Sequence, residues 1–129
     1  MESMHRSRLS TFVLDCKTTE LDRATDFWSR ALGRPWRPDS DGDPRYHVLE
    51  SGVEEPILLV QKVEHDSRIH LDIEADDLEA EARRLEALGA RRVAFVKRWI
   101  VMEAPTGQRF CIVNPQRGPL AGKRVNEWP

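Results

Sequence analysis

A chain that carries one strand–helix unit twice must fold so that both copies share a scaffold, and this sequence repeats itself in that way. Phe12-Val-Leu-Asp-Cys-Lys-Thr-Thr-Glu-Leu21 reads almost like Ile69-His-Leu-Asp-Ile-Glu-Ala-Asp-Asp-Leu78, with Leu14 and Leu71, Asp15 and Asp72, and Leu21 and Leu78 at matching places 57 residues apart. Leu32-Gly33 answers Leu88-Gly89 at an offset of 56, and Ile57-Leu-Leu-Val-Gln61 answers Phe110-Cys-Ile-Val-Asn114 at 53. Neither half can bury a sheet alone, so the repeat decides the fold.

Local patterns place the elements. Residues 1–8 are polar and expected to fray, and Leu9–Cys16 is rich in strand formers. Apolar residues at 21, 24, 27, 28, 31 and 32 predict a first helix, with Thr18 or Thr19 as cap and Gly33 at its end. Pro35-Trp-Arg-Pro38 is a short edge piece, Asp39–Pro44 a turn, and Arg45–Glu50 with Pro56–Val63 an antiparallel hairpin. Ile69–Glu74 is the next strand. Asp76 with Glu79 three residues on is spaced as a capping box for a second helix that Gly89 closes. Three strands follow at Arg91–Lys97, Trp99–Glu103 and Arg109–Val113, and the tail 116–129 reads as irregular.

The 129 residues, 40% of them hydrophobic, amount to one domain, with repeat one over 9–63 and repeat two over 68–115. A net charge of −2 with both signs interleaved argues against nucleic acid or an anionic membrane as partner, and no apolar run is long enough to span a bilayer. A cytoplasmic protein is expected, with Cys16 and Cys111 as reduced thiols inside apolar strands.

The doubled strand–helix–three-strand unit, Phe27-Trp28 with Ala31-Leu32-Gly33, then His70-Leu-Asp72, then Pro105-Thr-Gly-Gln-Arg-Phe-Cys-Ile-Val-Asn-Pro115, resembles the glyoxalase, bleomycin-resistance and extradiol-dioxygenase superfamily, also called vicinal oxygen chelate. It is most similar to the small glyoxalase-like domains. The resemblance covers Leu9 to Pro115. It implies an α+β fold in which two βαβββ modules form an eight-stranded, cup-shaped incomplete barrel with helices outside, and a homodimer. Alternation along the strands then predicts Leu14, Ile57, Leu59, Leu71, Ile73, Phe110 and Ile112 beneath the helices. Val13, Asp15, Leu58, Val60, His70, Asp72, Cys111 and Val113 are predicted on the inward face.

Metal-binding members of the superfamily take ligands from the first and last strand of each half. Carried over, these places are Val13 and His70, and Leu58 and Cys111. Val13 and Leu58 supply no donor, so no metal or other cofactor is expected; a divalent metal, if present, would use His70, with Asp15, Asp72, Gln61 or Glu103 as substitutes.

The remaining candidates each have two readings. His70 is an interior hydrogen-bonded histidine or an acid–base catalyst, and Asp15 and Asp72 are buried carboxylates with structural partners or its catalytic companions. Lys17 and Glu74, next along those faces, read as solvated strand ends, and His5 and His65 as surface residues. Trp36, Tyr46 and Trp99 are candidate ligand-binding surfaces, with only one of Tyr46 and His47 able to face inward. Cys111 is filler or a nucleophile, and counts among the candidate ligand contacts. The expected function is binding of a small organic molecule without metal, with proton-transfer or elimination chemistry on His70, Asp15 and Asp72. A metal-dependent lyase or isomerase and a drug-sequestering protein are the alternatives.

Overall fold

The computed structural model describes residues 4–122 and 124–129. The strands are β1 (His5–Lys17), β2 (Trp36–Pro38), β3 (Tyr46–Leu49), β4 (Ile57–Val63), β5 (Arg68–Ala75), β6 (Arg91–Val96), β7 (Trp99–Glu103), β8 (Arg109–Val113) and β9 (Asn126–Trp128). The helices are α1 (Leu21–Leu32) and α2 (Leu78–Ala87). The chain divides into an N-module, Thr11–His70, and a C-module made of residues 1–10 and 71–129. Strands β1 and β5 each run through a boundary between them.

The N-module orders its strands β2-β3-β4-β1, antiparallel except for the parallel pair β4–β1. The C-module orders its own β6-β7-β8-β5, again with one parallel pair, β8–β5. Each is therefore the βαβββ unit expected from the repeat, and the chain has the α+β fold read from the sequence. The parallel pairs arise because each helix carries the chain across its sheet before the meander returns.

In the N-module the core lies beneath α1, where Leu14, Leu21, Leu49 and Val60 are buried and Trp28, Trp36, Cys16 and Leu58 pack against them. Helix α1 starts at Glu20 without a side-chain cap; the Thr18 hydroxyl instead accepts from the Glu20 N–H at 3.0 Å. Gly33 ends the helix in the left-handed conformation at φ 68°, which glycine adopts without a Cβ clash. Phe27, expected on the apolar face, is 61% exposed, because Leu21, Thr25 and Trp28 take the inward stripe.

Beneath α2 the C-module buries Ala75, Ala82, Ile100, Met102 and Ile112. Asp77 rather than Asp76 caps α2, accepting from the Ala80 N–H at 2.9 Å, while Asp76 accepts from the Arg6 N–H at 2.8 Å.

Both chain ends depart from expectation here. Residues 5–8 belong to β1, and the tail supplies β9, which pairs with His5–Ser7. The cause is a buried charged cluster. Glu81 of α2, 0% exposed, accepts from both sides of the Arg84 fork at 2.8 Å and lies 2.7 Å from His5 Nε2. The Trp128 indole covers the Arg84 guanidinium at 3.9 Å and donates to Ser7 Oγ at 2.9 Å. His5 is thus an interior residue, not a surface one. Glu74, also expected in solvent, is buried, with Arg8 3.6 Å away.

Burial works to raise the Glu81 carboxyl pKa, but hydrogen bonds from Arg84, His5 and Ser7 outweigh it and hold the group below its ordinary value. A carboxyl depressed in the folded state contributes stability that is present above its unfolded pKa and lost as pH falls through the folded one. Acid should therefore weaken the wild-type C-module at pH below about 4.3, and Glu81→Gln should flatten that dependence in pH-resolved denaturant melts. Arg84→Met should cost about 3 kcal/mol, near the low end for breaking a buried pair because Arg84 keeps some contact with water.

Candidate functional site

Strand register in the N-module places a polar row on the sheet face opposite α1. Leu14 and Val60 are register partners and both belong to the core under the helix. Their neighbours Asp15 and Gln61, also partners, therefore face the other way, and Tyr46 stands across from Gln61 on β3. Two residue pairs back along the strands, Val13, Leu59 and Val48 form an apolar row on that same face. A polar row beside an apolar one suits a small organic ligand with one functionalised edge.

Asp15 is 3% exposed and is the centre of the polar row. Its Oδ2 accepts from His70 Nδ1 at 2.7 Å and lies 3.5 Å from Arg68 Nε, while Oδ1 has no hydrogen-bond partner among the described residues. A carboxylate can only accept here, so Nδ1 carries the hydrogen and the neutral ring presents its lone pair at Nε2. Arg68 and His70 alternate along β5 and so share a side. The start of β5 is tied to the end of β1 by Lys17 N–H donating to Ser67 Oγ at 2.9 Å. Beyond Asp15, the Gln61 amide donates to the Tyr46 hydroxyl at 2.8 Å.

Of the predicted site residues, Asp15, His70 and Tyr46 belong to this module's polar face. Trp36 does not: it packs beneath α1, stacked on His47 at 4.3 Å, and its indole N–H donates to Asp26 at 2.9 Å. Between Tyr46 and His47, it is Tyr46 that faces away from the helix. His47 is a structural residue; the Thr25 hydroxyl donates to the Leu21 carbonyl at 2.8 Å and so accepts from His47 Nδ1 at 2.9 Å.

Asp72, Cys111 and Trp99 lie in the C-module. Asp72 and Cys111 are register partners, and Cys111 pairs in turn with Val101, two residues from Trp99. All three face away from Ile100, Met102 and Ile112, the core under α2. Phe110 and Ile112 lie beneath the helix, as expected.

In the N-module the expected faces of β4 are exchanged. Leu58 and Val60 lie beneath α1, and Ile57 and Leu59 point away from it. Register explains the error. Leu14 pairs with Val60, and its repeat equivalent Leu71 pairs with Phe110, so the true offset between β4 and β8 is 50. The sequence alignment at 53 is three residues out, and an odd slip turns every side chain to the opposite face. The repeat partner of Cys111 is therefore Gln61, not Leu58. Arg68 is the site residue that the sequence pattern does not mark, and Gln61 is marked only as a substitute metal ligand.

The metal-ligand places implied by the resemblance thus become Val13, Gln61, His70 and Cys111. Val13 is hydrocarbon and 1% exposed and offers no donor, and Gln61 donates through its amide nitrogen to the Tyr46 hydroxyl. Hard divalent ions require several oxygen or imidazole donors in octahedral geometry, and this set does not fit one.

A sequence model of the glyoxalase-like domain family matches residues 11–113. The chain belongs to that family. Among curated proteins none matches the sequence significantly. Solved structures share the fold at low identity. Methylmalonyl-CoA epimerase from Mycobacterium tuberculosis is 19% identical, with 84% of this chain and 88% of that one covered at a TM-score of 0.58. The hypothetical protein BH1468 from Bacillus halodurans C-125 is 9% identical, with coverage of 89% and 99% and a TM-score of 0.58. An uncharacterised protein from Methanosarcina mazei is 14% identical, with coverage of 88% and 98% and a TM-score of 0.55. At these identities they establish the fold and no activity.

The tautomer assignment is directly measurable. Ring nitrogen shifts of the wild type should show His70 protonated at Nδ1 when neutral, and Asp15→Asn should convert it to a mixture of tautomers. An Nε2–H ring in the wild type would contradict the Asp15–His70 bond.

Proposed function

We propose that the chain binds a small organic molecule on the N-module face opposite α1 and moves a proton on it, with His70 as acid–base and Asp15 as its orienting partner. The observation that carries this reading is the 2.7 Å bond from Nδ1 to a buried carboxylate, which fixes the ring and leaves Nε2 as the basic atom. The buried Oδ1 of Asp15 offers a further acceptor for a ligand O–H or N–H. Leu59 and Val48 cover the ligand's apolar side, and Gln61 with Tyr46 forms a hydrogen-bonding edge. Tyr46 is the aromatic ligand contact of this module. Trp99, Asp72 and Cys111 are assigned a supporting role on the C-module's own face.

The chemistry needs no co-reactant. His70 Nε2 takes a proton from the substrate, the bonding electron pair stays on the substrate, and the imidazolium keeps its Nδ1–H on the Asp15 carboxylate. Returning that proton elsewhere on the substrate gives isomerisation, and loss of a leaving group with the electron pair gives elimination. A positioned base of this kind contributes about 10²- to 10⁴-fold in rate.

The protein is further proposed to act without a metal, as a cytoplasmic homodimer. The competing reading, a metal-dependent lyase or isomerase, draws support from the donors His70 and Asp72, which alternate on β5, and from Cys111 opposite Asp72. Protein purified without chelator should hold no stoichiometric metal. Metal at one equivalent that disappears in His70→Ala would establish the metal-dependent alternative instead. Light scattering at micromolar concentration should give twice the chain mass; a monomeric mass would remove the dimer.

Proton transfer is read by incubating the protein with a metabolite panel in D2O and recovering the ligands. The expected result is deuterium in one recovered or rearranged compound, reduced about 10²-fold or more in His70→Gln. A tightly bound compound recovered unlabelled and unchanged would mark a sequestering protein.

A further inference from the structure

Arginines in the N-module are held in two different ways. Arg34 grips the Glu55 carboxylate with both terminal nitrogens at 3.1 and 2.9 Å, and Arg45 grips Asp43 through Nε and Nη2 at 3.1 and 2.9 Å. These forks are spent on their partners, and hydrogen bonding raises both guanidinium pKa values above their ordinary range. Arg68 is not spent. Its contacts among the described residues are Nε to Asp15 Oδ2 at 3.5 Å and Nη2 to His65 Nε2 at 3.4 Å, both long for a charged donor.

The placement of that cation is informative. Arg68 stands two residues before His70 on the same side of β5, and the two side chains approach the same oxygen of Asp15. Its base is fixed by the Lys17–Ser67 bond, while its side chain is 47% exposed. Nε is turned towards the carboxylate, so the Nη edge is the part offered outward beside the imidazole. Lys17 adds a second cation at the strand end, paired only loosely, at 3.7 Å, with the fully exposed Asp66. A structural role would be expected to close the Arg68–Asp15 fork as Arg34 and Arg45 close theirs. A planar fork left open next to a proposed base matches a planar oxyanion.

We infer that Arg68 is a substrate-anchoring residue that receives a carboxylate, so that the molecule handled by this site is a small carboxylate-bearing compound whose transferable proton is delivered to His70 Nε2. The inference rests on the proposed acid–base role of His70 and names the substrate class for it. Asp15 then has two tasks: it holds the ring tautomer through Oδ2 and holds the guanidinium at the distance where its outer edge remains open.

The test uses malonate as probe, with dimethyl malonate as its uncharged counterpart and inorganic phosphate as a non-planar oxyanion, titrated into the full chain at constant ionic strength. His70 ring signals are followed by NMR. Malonate should give a saturable shift that the diester does not reproduce. Arg68→Gln should weaken malonate at least about tenfold, the loss of one charge-assisted hydrogen bond. Arg68→Lys, which keeps the charge and loses the fork, should fall between. Equal affinity in Arg68→Gln, equal binding of the diester, or phosphate binding tighter than malonate would each overturn the inference. The His70 tautomer in the ligand-free variants shows whether the site is still assembled. That tautomer, measured without any anion, also separates failure of the acid–base reading from failure of the carboxylate assignment, which malonate titration alone decides.

Discussion

The polar face of the N-module depends on one carboxylate. Burying an acid in a sheet costs several kcal/mol unless donors reach it, and Asp15 obtains them from β5, through His70 and Arg68. That requirement orders the surrounding side chains. The ring turns Nδ1 towards Asp15, and the half-exposed guanidinium lies alongside. Gln61 and Tyr46 continue the row away from Asp15 and satisfy each other. Substituting a hydrophobe for Asp15 would remove the burial cost and with it the reason for the arrangement.

How much of this was legible in the sequence follows from which interactions are local. The repeat exposed the βαβββ modules, the strand sequence and the glycine that ends α1, because helix periodicity, turn residues and caps are written within a few residues of one another. Asp15, His70 and Tyr46 were likewise legible as polar residues on strands. Register is not local. Ile57-Leu-Leu-Val-Gln61 aligns with Phe110-Cys-Ile-Val-Asn114 by residue type just as well three places out, since an apolar run carries no marker of which member points up. Only the Leu14–Val60 and Leu71–Phe110 pairings distinguish the two alignments. The error exchanged Leu58 for Gln61 as the partner of Cys111.

The chain ends hid for a related reason. Polar residues 5–8 and a tail rich in proline and glycine have the composition of loose segments, and nothing nearby signals otherwise. Their order comes from a residue remote from both ends, Glu81, whose buried charge recruits His5 directly and, through Arg84, the ring of Trp128. A buried glutamate on an otherwise amphipathic helix is the signal that could have been read, because such a residue must be met by cations from elsewhere in the fold.

The two copies of the repeat have kept the same aspartate and changed what surrounds it. Asp72 faces a thiol, Cys111, across the sheet, whereas Asp15 faces an amide, Gln61, and takes an imidazole and a guanidinium from β5. The place at which the resemblance puts a first-strand metal ligand is a buried valine in one copy and His70 in the other. These differences fit together. Val13 offers no donor, and His70 gives its Nδ1 hydrogen to Asp15, two residues along β1 from that valine. The pattern thus supplies a carboxylate-oriented imidazole. The Arg68 guanidinium adds positive charge beside that imidazole, on the same oxygen of Asp15.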